Sequence, residues 1–495
     1  MRKLINPRVG LPRLLPQRLL LGSLLAMCVA HAQTLPPVKH VLLISVDGLH
    51  EQDLRLFVTS HPNSALSTLS KRGLTYSQAQ SSMPSDSFPG LLALVTGGTP
   101  KSTGVYYDDS YDRTLAAPGT DCSVAGTEVV YDESIDKNPD ALDAGGGLDP
   151  AKLPRDPAHG CAPVYPHSFL RVNTVFEVAT AAGLPTAWAD KHPAYDLIQG
   201  PSGNGVLDLY TPEINNASNP TDNVGATAAY DALKVGAVLN QIGGKTSSGA
   251  AGRVPAIFGM NFQALSVAQK TTGYADASGK PGADVATAMN FVDASLGMMV
   301  NALKAQGLFD STLIVISAKH GQSPIDRSAL KIVDSKALAA AIKAAAPAGA
   351  AQLTTDSVGL VWLKDGTQAG AVAAALSTPA NMAALSIASV LSGPALRAQY
   401  GDPATDSRVP DLVIIPTKGV IYTKPTASKI AEHGGFSDDD THVGLLISAP
   451  GLSAATITTP VRTTQVAPTL LSALGLDPNK LQAVQQEGTT ILPLK

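Results

Sequence analysis

The chain has 495 residues, of which 44% are apolar and 15% charged, a balance that excludes a fibrous or disordered protein and allows one large α/β domain or two to three smaller ones. The first 32 residues hold five basic residues and no acidic one, which leaves 31 basic against 40 acidic residues in the rest of the chain. Such an acidic protein has no general electrostatic attraction to nucleic acid or anionic membranes, so we expect a small-molecule ligand held by local contacts.

The N-terminal segment has the pattern of a secretory signal. Five basic residues precede the apolar run LLLGSLLAMCVA, and Ala30-His31-Ala32 places small residues at both positions that a signal peptidase reads. The apolar run is too short to span a bilayer. We therefore expect residues 1–32 to be a signal peptide and residues 33–495 to be a periplasmic or secreted protein without a membrane span.

Short apolar runs of strand length recur along the chain, and most are apolar throughout, as strands covered on both faces are. They are KHVLLISV (39–46), LPTAWA (184–189), VPAIFGMNF (254–262), TLIVIS (312–317), DLVIIP (411–416) and VGLLISA (443–449). Helical patterns lie between them, the clearest at 283–307 and 336–346. This alternation predicts an α/β fold with a mostly parallel central sheet and helices on both faces.

Residues 100–170 are rich in turn-forming residues and have little periodicity, so we expect a loop-rich insertion or cap in this region. It contains Cys122 and Cys161, the two cysteines that remain after removal of the signal segment. In an oxidising compartment this pair favours a structural disulfide. The local spacing does not suit a zinc site.

In open α/β sheets ligands bind at the carboxyl ends of the strands. The predicted strand ends here carry Asp47, Lys191 with His192, Asn261, and Lys319 with His320. Asp47 could bind a metal or cap a helix. Ser87 begins a further predicted helix, LLALVTG, where it could serve as a cap or as a nucleophile supported by the helix N terminus.

These stretches resemble the alkaline phosphatase superfamily, in particular the type I phosphodiesterases and nucleotide pyrophosphatases. The similarity rests on ISVDGLH, the S-F-P at Ser87 followed by LVTGG, TGVYYDDSYD (103–112), H-G-G-F at His433 and QVAPTLLSALGL (465–476). It implies an alkaline phosphatase-like fold, a covalent phospho-enzyme on Ser87, and metal ligation by Asp47, His320 and His433. It also implies a divalent metal, zinc, with one or two ions bound.

The chain departs from the family pattern at several positions. The family has an Asp-His pair where this chain has Lys319 and His320, and an Asp-x-x-x-His motif where it has MNFQALSVAQK. Asp108 stands where the family has an Asn that holds a phosphate oxygen. We therefore expect fewer ions than in the family, with Lys319 and Lys191 neutralising phosphoryl charge.

Near the C terminus, HGGFSDDDTHV could be a solvated acidic loop, or Asp440 and His442 could complete a metal shell with His433. Asp108 and Asn261 are expected to contact substrate. ADKHP resembles a sulfatase stretch whose Lys and His contact the ester, which implies a catalytic role for Lys191 and His192. The expected activity is hydrolysis of phosphate esters. The alternatives are a sulfatase-like or phosphonate-ester hydrolase, or a catalytically inactive relative that binds a ligand.

Overall fold

The computed structural model describes residue 35, residues 37–216 and residues 220–495. The predicted signal segment, residues 1–32, lies outside the described residues. In the described part of the chain, no helix has both the length and the apolar character needed to cross a membrane.

Eight strands form the central sheet. In spatial order they are Ala455–Ile457, Gly73–Tyr76, Leu446–Ser448, Thr312–Ser317, His40–Val46, Ile257–Phe262, Ala187–Ala189 and Asp208–Tyr210. Seven of them run in one direction and Leu446–Ser448 runs in the other. The prediction of a mostly parallel sheet is confirmed.

The two faces of this sheet carry separate apolar cores, which explains why its strands are apolar throughout. On the first strand, Val41 and Leu43 belong to one core while Leu42 and Ile44 belong to the other, because successive side chains point to opposite faces. The helices against the first core are Ser87–Thr96, Val175–Ala181 and Val466–Ala473. Those against the second are Glu51–Ser60, Ala65–Ser70, Val224–Ile242, Ala264–Thr271 and Ala283–Ala305.

The predicted strand DLVIIP exists, but its assignment to the parallel sheet is wrong. As Leu412–Pro416 it belongs to a second, antiparallel sheet with Ala350–Thr355, Gly359–Leu363 and Ile387–Leu391. This sheet has an apolar core of its own, so its strands are as apolar as those of the parallel sheet. The helices of this region are Ser335–Ala345, Ala369–Leu376, Pro379–Leu385 and Gly393–Tyr400, and Lys331–Asp334 pairs with Val420–Thr423.

The predicted insertion contains a third sheet, which is antiparallel. Its strands are Asp109–Ala116, Ala125–Val130, Arg155–Asp156 and Ala162–Pro163. The predicted disulfide is confirmed: Cys122 and Cys161 are bonded and close a loop across a sequence separation of 39 residues. This covalent link compensates for the short strands of the region.

Candidate active site

Strand register brings the reactive residues together. The first strand lies between two parallel neighbours, and Ser45 lies opposite both Asn261 and Ser317. Two residues further on, Asp47 and Lys319 therefore emerge side by side at the carboxyl edge of the sheet. Both side chains are fully buried.

Ser87 is the first residue of the helix Ser87–Thr96, and Asp86 caps this helix by accepting a hydrogen bond from the Phe88 amide at 3.0 Å. The helix lies directly against the end of a strand: a Cβ added at Gly90 would be 2.0 Å from the carbonyl oxygen of Lys319. Only glycine permits this approach, which carries Ser87 to the edge of the sheet.

Three groups surround the hydroxyl of Ser87. Its Oγ lies 3.4 Å from Oδ2 of Asp47, 3.2 Å from Nε2 of His320 and 3.2 Å from Nζ of Lys191. Nδ1 of His320 lies 2.8 Å from the Gly321 carbonyl oxygen, to which it can only donate. The lone pair of the neutral imidazole is therefore on Nε2, which faces Ser87.

Asp47 is held as an anion. Asn261 donates to Oδ1 at 2.7 Å and Gln263 donates to Oδ2 at 2.6 Å. Burial alone would raise the pKa of Asp47, but the charge of Lys319 and the contact with His320 outweigh burial and hold it well below its usual range. Asp47 is thus ionised over the whole physiological pH range.

The two lysines have different partners. Lys319 donates to Oδ1 of Asp190 at 2.8 Å, and its Nζ lies 4.1 Å above the ring of Tyr195. Burial lowers the pKa of Lys319, although Asp190 and Asp47 oppose the shift. Nζ of Lys191 lies 3.6 Å from Oδ2 of Asp47. Burial would lower the pKa of Lys191, but the surrounding carboxylates raise it, so Lys191 is cationic.

His433 lies beside this group of residues, with its ring centroid 4.0 Å from that of His320. Its Nδ1 is buried without a hydrogen-bond partner, 3.5 Å from a likewise unpartnered Oδ2 of Asp86. Burial and the neighbouring His320 hold the pKa of His433 well below its usual range. Burial raises the pKa of Asp86.

Asp108 lies at the same side of the site and is only half-buried by its exposed area. Desolvation, followed by the charges of Asp86 and Asp356, raises its pKa well above the usual range. The raised pKa favours the neutral acid form of Asp108, whose O–H can donate a hydrogen bond.

His192 does not contact Ser87, although the adjacent Lys191 does. Its Nδ1 lies 2.8 and 2.9 Å from the two carboxylate oxygens of Glu213. With Glu133 these two residues form a group whose potential ligand atoms all lie within 4.8 Å of one another. Among the residues that the structure describes, no other group of three His, Cys, Asp or Glu side chains brings its potential ligand atoms this close together.

The structure does not bring Asp440 and His442 to the Ser87 group. The Asp440 carboxylate accepts hydrogen bonds from the Ser437 hydroxyl at 2.5 Å and from the Gly435 amide at 3.3 Å, which shapes the turn that follows His433. His442 contacts the Ser77 carbonyl through Nε2 at 2.9 Å. Both side chains therefore make local structural contacts.

One metal ion fits at Ser87. The atoms Asp47 Oδ2, Ser87 Oγ and His320 Nε2 are separated pairwise by 3.4, 3.2 and 3.5 Å. These separations match the edges of about 3.3 Å expected for a tetrahedral zinc site with bonds of about 2.0 Å. Beside Asp47, at the position where the resemblance noted from the sequence implies a further carboxylate ligand, this chain has Lys319, whose ammonium is paired with Asp190.

The sequence reasoning missed Asp190 and Asp231. Asp190 neutralises Lys319, and Asp231 accepts from the Gln263 amide at 2.8 Å, which directs the Gln263 side chain toward Asp47. The signal for Asp190 was available: a lysine at the end of a buried strand needs a carboxylate partner, and Asp190 precedes Lys191. No local pattern marks Asp231.

Comparisons with known proteins identify the family of this chain. A family model described as type I phosphodiesterase / nucleotide pyrophosphatase matches residues 41–438. A comparison with curated proteins finds no match.

Three solved structures share the fold. Murine ectonucleotide pyrophosphatase / phosphodiesterase 5 is 15% identical, with 89% of this chain and 96% of that chain covered and a TM-score of 0.58; an inactive variant of it was solved in complex with AMP. The human counterpart is 15% identical, with 88% and 95% covered and a TM-score of 0.57. The alkaline phosphatase PafA is 14% identical, with 90% and 97% covered and a TM-score of 0.60.

The resemblance noted from the sequence is therefore confirmed. The match of the family model extends from the first strand of the central sheet to the turn after His433. The chain belongs to the type I phosphodiesterase / nucleotide pyrophosphatase family and is a hydrolase acting on phosphoric ester bonds.

Proposed function

We propose that the protein hydrolyses small phosphodiesters, of the nucleotide type, through a covalent phospho-enzyme on Ser87. The observation that carries this proposal is the position of Ser87. Its hydroxyl oxygen contacts Lys191 and His320, and the residue itself begins a helix. The family membership supports the reaction class. The AMP complex of the murine relative supports a nucleotide leaving group or product.

In the proposed reaction the Ser87 oxygen attacks phosphorus in line and the ester oxygen leaves. The hydroxyl proton of Ser87 passes to a water molecule, and Lys191 stabilises the resulting oxygen anion through its hydrogen bond. The departing oxygen takes a proton from water. A water molecule then attacks the phosphoserine, which releases the second product and restores Ser87.

The charge of the phosphoryl group is met by several donors. The free amides at the start of the helix Ser87–Thr96 point toward an anion bound at Ser87. Lys191 and, behind it, Lys319 supply positive charge. Asp108 in its acid form donates to a phosphoryl oxygen, so it does not repel the substrate as an ionised carboxylate would. Asn261 acts through Asp47, which it holds in place.

The family depends on divalent metals, and we propose that this chain uses one ion, zinc. Asp47, Ser87 and His320 would hold it, and when bound it would lower the pKa of the Ser87 hydroxyl and polarise the phosphoryl group. His433, whose ring lies 4.0 Å from that of His320, would be a further ligand of the ion, as the sequence predicts. Lys319 and the side-chain amides of Asn261 and Gln263, which donate to Asp47, take the place of a second ion.

We further propose that the protein acts outside the cytoplasm. The disulfide between Cys122 and Cys161 supports an oxidising compartment, as does the basic and apolar pattern of residues 1–32.

The test compares the purified wild type with Ser87→Ala on an aryl phosphodiester, an aryl phosphomonoester and an aryl sulfate. The expected result is phosphodiester turnover by the wild type, with a loss of at least about 10³-fold in kcat for the variant. Acid quenching during turnover should trap phosphoserine in the wild type alone. The matched control is Ser82→Ala, since the Ser82 hydroxyl is buried without a partner.

Each alternative has its own outcome. Phosphodiester turnover that survives Ser87→Ala contradicts the nucleophile. Preferred turnover of the sulfate supports a sulfatase-like enzyme, and no turnover of any ester by the metal-supplied wild type supports a non-catalytic binding protein.

A further inference from the structure

A second group of buried polar side chains lies between the insertion and the central sheet, and we call it the cap cluster: Glu133, Asp136, His192 and Glu213. Its members come from three segments of the chain. Glu133 begins a single 3₁₀ turn and Asp136 follows it. Because this kind of helix has three residues per turn, the two residues lie on one face. His192 and Glu213 each follow a strand of the central sheet.

The geometry of the cap cluster suits a cation. Potential ligand atoms of Glu133, His192 and Glu213 all lie within 4.8 Å of one another. The amide groups of Asn215 orient both glutamates: its backbone N–H donates to Oε1 of Glu213 at 2.7 Å and its Nδ2 donates to Oε2 of Glu133 at 2.9 Å. Glu213 is fully buried and His192 nearly so, while Glu133 is half-buried and leaves a path from solvent.

Asp136 supplies an independent observation. Its side chain is fully buried, and neither carboxylate oxygen has a hydrogen-bond donor. Its carboxyl group lies against that of Glu213. The nearby Lys152 donates to the backbone oxygen of Asp136 and not to its carboxylate.

The cap cluster therefore holds more negative charge than its own side chains can balance. Three carboxyl groups share one imidazole, and the ammonium of the adjacent Lys191 is directed at Ser87 and Gln263. Buried carboxylates in contact need either a proton or a cation between them.

We propose that the cap cluster binds a divalent metal ion, with Glu133, His192 and Glu213 as ligands and Asp136 as the carboxylate that balances its charge. One imidazole among carboxylates suits Mn²⁺ or Zn²⁺ better than Mg²⁺ or Ca²⁺, which prefer oxygen alone. The ion replaces the hydrogen bond between His192 and Glu213.

This ion would hold the lysine that contacts Ser87. The backbone N–H of Ile214, next to Glu213, donates to the carbonyl oxygen of Lys191 at 3.0 Å, and His192 follows Lys191 directly. Two ligands of the ion thus flank the backbone of Lys191. The binding of the ion itself does not rest on the proposed function.

The experiment measures Mn²⁺ binding to the metal-depleted full chain by the loss of the free-ion signal in electron paramagnetic resonance. Asp47→Asn is used as the background, since it weakens the site at Ser87. We expect one Mn²⁺ per chain in this background, and a dissociation constant at least about tenfold higher after Glu213→Gln or Asp136→Asn. The matched control is Asp132→Asn, a carboxylate that caps the same turn and can still do so as an amide.

If the Asp47→Asn background does not fold, the same variants are made in the wild type, where each should bind one ion fewer per chain than Asp132→Asn binds. The proposal is overturned if Glu213→Gln and Asp132→Asn bind Mn²⁺ and Zn²⁺ equally. It is also overturned if neither ion binds to the Asp47→Asn protein. Either result would mean that Asp136 and Glu213 share a proton. Because the readout is ion binding, an inactive Ser87→Ala protein gives the same answer.

Discussion

Two buried polar clusters lie on either side of the segment that contains Lys191, and they balance charge in different ways. At Ser87, the carboxylates of Asp47 and Asp190 face the ammonium groups of Lys191 and Lys319. In the cap cluster, three carboxyl groups face one imidazole, and the nearby Lys152 donates to a backbone oxygen and not to a carboxylate. The charges of the first cluster nearly cancel one another, whereas the cap cluster keeps an excess of negative charge.

This difference indicates where a metal ion is needed. A buried carboxylate costs several kcal/mol unless a proton, a cation or several donors compensate it. At Ser87 two lysines and two amides provide most of the compensation, which supports the single ion that we propose there. In the cap cluster the compensation has to come from outside the chain.

The largest effect is expected for Lys319→Asp, which gives the Ser87 cluster the charge pattern of the cap cluster. The new carboxylate would face Asp190 and Asp47 in a fully buried position, and breaking a buried pair in this way costs about 3–5 kcal/mol. We expect this loss in metal-free protein by chemical denaturation, with substantial recovery when Zn²⁺ is added.

The control for this change is Lys336→Asp, the same substitution at an exposed lysine, which should alter stability by less than about 0.5 kcal/mol. A Lys319→Asp protein that is destabilised equally with and without Zn²⁺ would show that the site cannot gain a second ion.

A smaller effect is expected for Lys191→Met, which removes the ammonium that contacts Ser87 but keeps most of the side-chain volume. Loss of one preorganised donor to a developing anion lowers kcat by about 10²–10³-fold. Steady-state kinetics on the phosphodiester measures this, and Lys191→Arg should recover part of the rate. Unchanged kcat in Lys191→Met would exclude the proposed stabilisation of the Ser87 oxygen.

The smallest effect is expected for Asp108→Asn. The raised pKa of Asp108 favours its acid form, which we propose donates to the phosphoryl group, so an amide should replace it with a change in KM of only about threefold. As the pH rises through the raised pKa, the wild type loses the donor and gains a negative charge, so its KM should increase while that of Asp108→Asn stays flat. Parallel pH profiles of KM for the two proteins would contradict this role.

Much of the fold was predictable because strands buried on both faces are apolar throughout, as at 39–46 and 312–317. The second, antiparallel sheet was not separable from the first, since Leu412–Pro416 is as apolar as a parallel strand. Pairing direction depends on which core a strand reaches, and local composition does not encode that.

For the site, the strand ends predict Asp47, Lys191, Asn261, Lys319 and His320 from the sequence alone. What the sequence could not supply was orientation. His192 adjoins Lys191 in the chain yet faces Glu213, and Asp440 lies near His433 in sequence yet closes a turn. Side chains on neighbouring residues of an irregular segment diverge, so adjacency to a site residue does not predict a shared role.

The disulfide between Cys122 and Cys161 closes a loop that contains both Glu133 and Asp136. A covalent bond and the proposed ion would therefore restrict the same stretch of backbone, and each would pre-organise it for the other. Their contributions are thermodynamically coupled: reducing the bond would raise the entropic cost of ion binding, and bound metal would slow the opening that exposes the sulfur atoms. Oxidation of the two cysteines to the disulfide would then become a step in the assembly of the proposed metal site.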